Sequence, residues 1–135
     1  MKQTISILLL ILAFGVSATV AQKTGKLTIK TRYVGIVEGY DHINKTQLYV
    51  NGKLAGESNQ GLESVPAEFT VNIPRGTHSI RIINLALYEG NWEEHTKDNN
   101  YSLDALYEST LEIKKKKSID LTFDIEKEET RVKVK

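Results

Sequence analysis

The three histidines are the first candidates to consider for a functional site, because of their chemistry and their spacing. His42, His78 and His95 lie in three separate segments, and no pair of them has the short spacing that is typical of zinc sites. A metal centre would require some of them to converge in space with a carboxylate. The sequence therefore predicts no metal ion and no other cofactor.

Acidic and amide side chains that could bind calcium are concentrated between residues 93 and 104. Calcium prefers such oxygen ligands, but the segment lacks the regular ligand spacing and the glycine of an EF-hand loop. A solvated loop is favoured, and a calcium-binding loop stays open as the alternative. The side chains concerned are Glu93, Glu94, Asp98, Asn99, Asn100 and Asp104.

Covalent and acid–base catalysis have little support in the sequence. Ser79 and Ser109 stand outside any Gly-x-Ser-x-Gly motif, the chain has no cysteine, and no histidine is positioned by the sequence to activate a hydroxyl. On a strand, the adjacent Glu93 and Glu94 would face opposite sides of the sheet, so they do not form a catalytic carboxylate pair. We predict that the protein is not an enzyme.

Aromatic side chains are the best candidates for a binding site. They are interspersed with Asn, Asp and Glu, and this mixture suits a platform that stacks on sugar rings or holds the side chains of a partner. The alternative is that Tyr88 and Trp92 fold back as lids over the open end of the domain. The candidate partner-binding residues are Trp92, Tyr88, Tyr101, Tyr107 and Tyr40.

The first 21 residues have the pattern of a secretory signal peptide. An early lysine, an apolar run over residues 5–14 and small residues before the expected cut after Ala21 all fit this pattern. An uncleaved membrane anchor is the alternative, but polar interruptions make the segment a poor membrane span. The end of the leader resembles those of Bacteroidetes exports. We therefore expect a Gram-negative periplasm or cell surface, with no membrane insertion after cleavage.

The composition excludes several classes of partner. The chain has 18 Lys and Arg against 17 Asp and Glu, and removal of the one lysine in the leader balances them. A neutral chain has no global field to attract nucleic acid or an anionic membrane. The basic run over residues 114–117 is interpreted as a solvated turn. Without cysteine, the fold must be held by packing alone.

Alternation of apolar and polar residues predicts strands along most of the chain after the leader. The first covers residues 26–34, and Asn51-Gly52 predicts a β-hairpin because both residues tolerate a positive φ. Two further hairpins are predicted, one with strands on both sides of Pro74 and one within residues 109–125. Two long loops, 35–46 and 85–108, separate these strands, and a short helical turn is predicted at residues 102–106.

These features predict an all-β protein. We expect a single antiparallel β-sandwich of about six to seven short strands, Ig-like in its organisation, with the two loops enlarged. The sandwich is predicted to cover residues 22–126. Residues 127–135 follow as a charged C-terminal tail or an edge strand.

The order of the motifs resembles the PEGA family of small bacterial β-sandwich domains. Residues 25–29 are similar to the family's opening strand, residues 48–53 with Gly56 to its hairpin, residues 73–81 to its central turn and residues 111–125 to its closing strands. Carboxypeptidase-regulatory-like and transthyretin-like sandwiches are broader relatives. The resemblance implies a non-catalytic, envelope-associated role, often as an accessory module.

Export, neutral charge and loop aromatics together predict a binding protein. We expect an exported, non-enzymatic interaction module that acts as an accessory or structural subunit of a bacterial cell-envelope protein complex. The alternative is a glycan-binding β-sandwich module that uses the same aromatic side chains.

Overall fold

The computed structural model describes residues 22–135, so the predicted signal peptide over residues 1–21 lies outside the described residues. The described chain is almost entirely β, and its strands form two packed sheets, which confirms the predicted all-β sandwich. It has ten strands rather than six or seven. The strands are β1 (Thr24–Val34), β2 (Ile43–Val50), β3 (Lys53–Glu57), β4 (Gly61–Leu62), β5 (Ala67–Pro74), β6 (Gly76–Tyr88), β7 (Asn91–Glu94), β8 (Leu106–Ile113), β9 (Lys116–Asp124) and β10 (Glu129–Val134).

One sheet has four strands in the order β10-β9-β1-β5, and the other has six. In the six-stranded sheet β3, β2 and β6 are neighbours, β4 pairs with β2, and both β8 and β7 pair with β6 along its length. The β1–β9 pair is parallel, whereas every other pair among the described strands is antiparallel. The expectation of a wholly antiparallel sandwich is therefore wrong for this one pair.

Only one of the three predicted hairpins is a hairpin. Asn51 and Gly52, with φ of 51° and 80°, connect the paired strands β2 and β3 as predicted. By contrast, β5 and β6 lie in different sheets, and so do β8 and β9. Their short connections are corners between the sheets. The sequence pattern could not distinguish the two cases, because inward and outward residues alternate on both sides of a corner as they do in a hairpin.

The two predicted loops contain more strand than expected. β2 already begins at Ile43, and β6 continues to Tyr88 before it returns as β7. The predicted helical turn at residues 102–106 is wrong, and the one short 3-10 turn of the described chain is at Lys97–Asn99. No helix among residues 22–135 has the length and apolar character to cross a membrane. The charged tail forms an edge strand, β10.

Extended backbone pairing explains why no helix forms at residues 102–106. The N–H of Ala105 donates to the carbonyl of His95 at 2.8 Å, and the N–H of Asn84 donates to the carbonyl of Ala105 at 2.9 Å. These bonds join Ala105 to β6 and to the segment after β7. Leu103 and Ala105 are also buried in the core. Backbone groups that bond in this way are not free for a helical turn.

The core changes from apolar to polar along the strands. Its main part consists of inward-facing Leu and Ile side chains and Phe123, with Leu27, Ile29 and Leu48 completely buried. Where β1 ends and β2 begins, the inward positions of these two strands become polar. This region, called the polar end below, contains the buried side chains Thr31, Tyr33, Asn44, Thr46 and Asn84.

Gly25 provides a test of the packing at the opposite end of the sandwich. A Cβ atom on Gly25 would overlap with the carbonyl oxygen of Lys114 and would stand 2.9 Å from Cγ2 of Ile113. We expect Gly25→Ala to lower the free energy of unfolding by about 1–3 kcal/mol, because backbone must move to relieve the overlap. Gly61→Ala is the control, since its Cβ would meet nothing within 4 Å. Urea denaturation of both variants checks this, and equal stabilities would contradict it.

Candidate functional site

Two of the three histidines converge with a carboxylate at the polar end. His42 precedes β2 and has the same inward orientation as Asn44 two residues later. The N–H of Glu63 donates to the carbonyl of His42 at 2.9 Å, which continues the β2–β4 pairing. The N–H of His95 donates to the carbonyl of Asn84 at 2.9 Å, which continues the β6–β7 pairing. The sheet therefore directs all three side chains to the same interior space.

The convergence leaves polar atoms without hydrogen bonds. Oε1 of Glu63 is 3.4 Å from Nδ1 of His95 and 3.7 Å from Nδ1 of His42. The side chains of Glu63 and His95 are only 2% and 3% exposed. Among residues 22–135, the buried side-chain atoms that lack a hydrogen-bond partner are His42 Nδ1, Glu63 Oε1 and His95 Nε2. All three belong to this one cluster.

A chain of hydrogen bonds determines where the protons of the cluster lie. The carbonyl of Gly61 can only accept, so Nδ2 of Asn44 donates to it at 2.9 Å. Oδ1 of Asn44 then accepts from Nδ2 of Asn84 at 2.8 Å, which turns Oδ1 of Asn84 towards Tyr33. The hydroxyl of Tyr33 donates its one proton to that oxygen at 2.7 Å.

The same chain fixes the tautomer of His95. Nδ1 of His95 is 3.0 Å from the hydroxyl oxygen of Tyr33. Because the Tyr33 proton is already donated to Asn84, Nδ1 of His95 must carry a proton and donate. The neutral imidazole then has its lone pair on Nε2. That atom is buried and has no donor facing it among the described residues.

Tyr101 covers the two imidazoles. Its ring stacks on His95 with centroids 4.1 Å apart and meets the ring of His42 edge-on at 6.1 Å. The hydroxyl of Tyr101 donates to Oε1 of Glu93 at 2.6 Å. Burial raises the pKa of Tyr101, and the hydrogen bond to Glu93 and the negative charges of Glu93 and Glu63 raise this pKa further. Tyr101 therefore stays a neutral phenol at physiological pH.

The cluster forms the floor of a cavity of about 290 Å³, called the end pocket below. Its polar floor consists of His42, Glu63 and His95. Its aromatic wall consists of Tyr40 and Tyr101, and its apolar wall of Ile36, Val37 and Ile125. The pocket therefore combines buried hydrogen-bond acceptors with apolar sides.

The described residues do not show a metal centre. No group of three or more His, Asp and Glu side chains within residues 22–135 has an arrangement that could hold a metal ion. The segment considered for calcium uses several of its oxygens within the loop. Oδ1 of Asp104 accepts the N–H of Lys97 at 2.8 Å, and the side-chain amide of Asn99 donates to the carbonyl of Glu94 at 2.8 Å.

The structure brings three of the five predicted aromatic residues to the polar end. Tyr40 and Tyr101 line the end pocket. Tyr88 lies at the tip of the β6–β7 hairpin, near enough for its phenol to contribute to the raised pKa of Tyr101. These three side chains come from different connections of the fold and lie at the same end of the sandwich.

The other two predicted aromatic residues lie elsewhere. Trp92 pairs with Leu87 on the outer face of the six-stranded sheet, where Nζ of Lys45 stands 4.5 Å from the centre of its ring. Tyr107 pairs with Ile82 and packs against the core. The five residues therefore do not form one platform, and the structure does not place Trp92 as a lid over the core.

The sequence interpretation missed Glu63 and the meeting of His42 with His95. His78 is separate from both, since it bonds to Asn51 and to the carbonyl of Pro74 at the opposite end of the sandwich. A usable signal existed in the strands. Counting alternate residues along β1 and β2 gives apolar inward positions that become polar towards one end, and Asn84 interrupts the apolar inward positions of β6 at the same level. This pattern indicates where polar loop residues could find partners.

Exposed apolar side chains are concentrated in the two chain segments next to the end pocket, although Ile43 and Leu62 belong to β2 and β4 and face the outer side of the sheet. Nine large apolar side chains are exposed among residues 22–135, and five of them lie within residues 37–43 or 62–65. Asp41 joins these loops by accepting hydrogen bonds from the N–H and the hydroxyl of Ser64. The five, called the apolar loop residues below, are Val37, Tyr40, Ile43, Leu62 and Val65.

No protein-family model matches the chain, and no curated protein sequence matches it either. Among solved structures, the toxin intermedilysin is similar at 14% identity, with a TM-score of 0.41 over 84% of this chain and 23% of that chain. A pneumolysin structure is similar at 12% identity, with a TM-score of 0.41 over 84% of this chain and 24% of that chain. The chain spans about a quarter of the length of these proteins. Similarity at this level does not identify a family.

The tautomer of His95 can be observed directly. We expect long-range ¹H–¹⁵N correlation spectra at neutral pH to show a protonated Nδ1 and an unprotonated Nε2 for the neutral ring, because the oxygen of Tyr33 can only accept from it. In Tyr33→Phe this constraint is removed, so the tautomer preference of His95 should weaken. A neutral His95 with its proton on Nε2 would contradict the proposed direction of the hydrogen bonds.

The hydroxyl of Tyr33 should be important for stability. We expect Tyr33→Phe to lower the free energy of unfolding by about 1–3 kcal/mol, because Oδ1 of Asn84 would remain buried without a donor. Tyr101→Phe is the matched control, since it removes a hydroxyl whose partner Glu93 is partly exposed. Chemical denaturation of both variants measures the difference. A larger loss in Tyr101→Phe would show that the interior hydrogen bonds are not the stabilising ones.

Proposed function

We propose that this protein is an exported, non-enzymatic interaction module that binds a protein partner through its polar end. In this proposal it acts as an accessory or structural subunit of a bacterial cell-envelope complex. The signal-peptide pattern and the resemblance to PEGA-like domains support export and an envelope role, and both stay predictions. The observation that carries the binding role is the combination of exposed apolar loop residues with unpaired buried polar atoms beside them.

The apolar loop residues provide the first support for protein docking. Exposed apolar side chains that are grouped rather than scattered are typical of interaction sites. Ile43 and Leu62 are paired between β2 and β4, so their backbones are held by the sheet. The hydrogen bonds of Asp41 to Ser64 hold the two loops to each other. A surface that is ordered before binding loses little conformational entropy when a partner docks.

The polar floor provides the second support. Buried polar atoms in native proteins nearly always have hydrogen-bond partners, and each unpaired one costs about 1–3 kcal/mol. Here such atoms come from three chain segments, and the residues that carry them line one cavity, which is a pattern typical of a binding site. A partner that supplies the missing hydrogen bonds would therefore gain affinity and specificity.

Glycan binding, the alternative function, has less support from the geometry. The ring of Trp92 faces Lys45 on the outer sheet surface and is only partly exposed. Tyr40 is exposed next to Asp41, but the carboxylate of Asp41 already accepts two hydrogen bonds from Ser64. A sugar-binding platform would need a free ring beside free polar side chains. Protein docking remains the proposed function.

Cross-linking in intact producing cells, followed by purification and mass spectrometry, tests the docking surface. We expect the tagged protein to recover one envelope protein in stoichiometric amount, and Leu62→Ser to reduce that recovery about 10-fold, as loss of an apolar contact at the centre of an interface does. Leu54→Ser is the matched control. Leu62 and Leu54 are 45% and 53% exposed, and both lie on strands that pair with β2, but at opposite ends of it.

The two leucine variants should be equally stable, since exposed substitutions usually change stability by less than about 0.5 kcal/mol. Equal recovery with Leu62→Ser and Leu54→Ser would exclude the polar end as the docking surface. Loss with Trp92→Ala but not with Leu62→Ser would instead place the contact around β7, away from β4. Recovery of the bait alone from cells that express it would contradict the subunit role.

A further inference from the structure

The end pocket offers hydrogen-bond acceptors without matching donors. Oε1 of Glu63 has its nearest ring nitrogens at 3.4 and 3.7 Å, and no hydrogen bond to it is formed. Nε2 of His95 carries the lone pair of the neutral ring, because Nδ1 donates to Tyr33. Both acceptors belong to side chains that are at least nine-tenths buried. A ligand of this pocket must therefore bring N–H or O–H groups.

The charge of the pocket favours a cation. Among residues 22–135, Glu63 is the one carboxylate in its lining, and no lysine or arginine lines it. The negative charge of Glu63 acts on both neighbouring phenols. Burial and then this charge raise the pKa of Tyr33, and the charge of Glu63 is also among the causes that raise the pKa of Tyr101. A positive group placed between these side chains would be stabilised by the carboxylate and by the face of an aromatic ring.

The shape of the pocket fits a cation on an apolar stem. Between the polar floor and the surface lie Ile36, Val37 and Ile125, with the ring of Tyr101 beside them. Lysine and arginine side chains have this form, with three or four methylene groups below a charged head. Ammonium carries three N–H donors and guanidinium carries five, so either can satisfy more than one acceptor.

The unpaired buried acceptors set the end pocket apart from other cavities between residues 22 and 135. A larger one, of about 600 Å³, lies on the outer face of the four-stranded sheet. Its lining mixes both signs of charge, with Lys30 and Arg131 near Glu68 and Asp120. None of the unpaired buried side-chain atoms found within residues 22–135 belongs to it. It therefore does not indicate the chemistry of a particular ligand.

Building on the proposed docking function, we propose that the end pocket binds the ammonium or guanidinium group of a lysine or arginine side chain of the partner protein. Oε1 of Glu63 and Nε2 of His95 accept its N–H groups. The methylene stem lies against Val37 and Ile125, and the ring of Tyr101 faces the charge. The apolar loop residues contact the partner at the same end of the sandwich. They provide contact area, and the basic side chain provides specificity.

Titration of the purified protein with small probes tests the chemistry of the pocket. The cationic probes are n-butylammonium and n-propylguanidinium, and n-propylurea is the neutral match of the latter. Chemical shifts of His42, His95 and Tyr101 report binding and its site. We expect both cations to shift these resonances saturably and propylurea to bind at least about 10-fold more weakly, because hydrogen bonds between charged groups are worth more than neutral ones.

Two matched variants assign the effect to Glu63. We expect Glu63→Gln to weaken binding of butylammonium at least about 10-fold. We expect Glu93→Gln, which removes an equal charge from a neighbouring position, to weaken it less than about 3-fold, because Glu93 is already paired with Tyr101. If Glu63→Gln does not fold, the comparison of propylguanidinium with propylurea on the unaltered protein decides alone.

Three titration results would overturn the proposal. Equal affinity for propylurea and propylguanidinium would show that charge is not recognised. Shifts of the histidine resonances by Zn²⁺, with none by the two organic cations, would identify a metal site instead. Absence of binding by any of these probes would show that the pocket holds only water.

The source of the cation is decided in the cross-linking experiment. If a side chain of the partner occupies the pocket, Glu63→Gln should reduce recovery of the partner about 10-fold while Glu93→Gln does not. If butylammonium binds but Glu63→Gln leaves recovery unchanged, the pocket takes a free amine, and the partner-anchor proposal fails. In that case loss of recovery with Leu62→Ser would still support the docking function, so the two proposals can fail separately.

Discussion

The carbonyl oxygen of Gly61 is the constraint on which the polar end depends. It can only accept hydrogen bonds, so the amide of Asn44 has one orientation, and the amide of Asn84 then has one as well. The hydrogen bond from Tyr33 to Asn84 connects the two sheets, because β1 and β6 belong to different sheets. It fixes the direction in which the Tyr33 hydroxyl donates. The last member, His95, is thereby fixed in tautomer and orientation. The proposed binding site is thus positioned by the interior of the sandwich.

The unpaired atoms of the cluster stand out because the surrounding polar groups are satisfied. Asn84 alone makes hydrogen bonds to Asn44, Thr46 and Tyr33 and to the carbonyl of Lys45. Apolar side chains in place of Glu63 and His95 would avoid the cost of their unpaired atoms, about 1–3 kcal/mol each. Natural proteins accept such local costs mainly at functional sites. The confinement of the unpaired atoms to one pocket is therefore the strongest indication that the polar end binds something.

Prediction from the sequence succeeded where residue types determine the local backbone conformation or the direction of side chains. Asn51-Gly52 specified a hairpin because both residues adopt a positive φ, and the alternation of β1 and β9 specified which side chains face inward. It was unreliable where two architectures share one pattern, as at the corner between β5 and β6. The polar cluster was missed because His42, Glu63 and His95 are distant in sequence and meet only through pairing with β2 and β6. The aromatic residues were identified, but the sequence did not predict that Trp92 lies on the outer face of the sheet, away from Tyr101.

Apolar contacts and unpaired acceptors act differently when a partner approaches. The exposed side chains of the loops would stabilise contact with any apolar surface, so they cannot discriminate between partners by themselves. A partner without donors would leave the acceptors of Glu63 and His95 unpaired. It would therefore bind less tightly than a partner that supplies the missing hydrogen bonds. The same geometry that lowers the stability of the free domain can therefore supply the selectivity that its apolar loops lack.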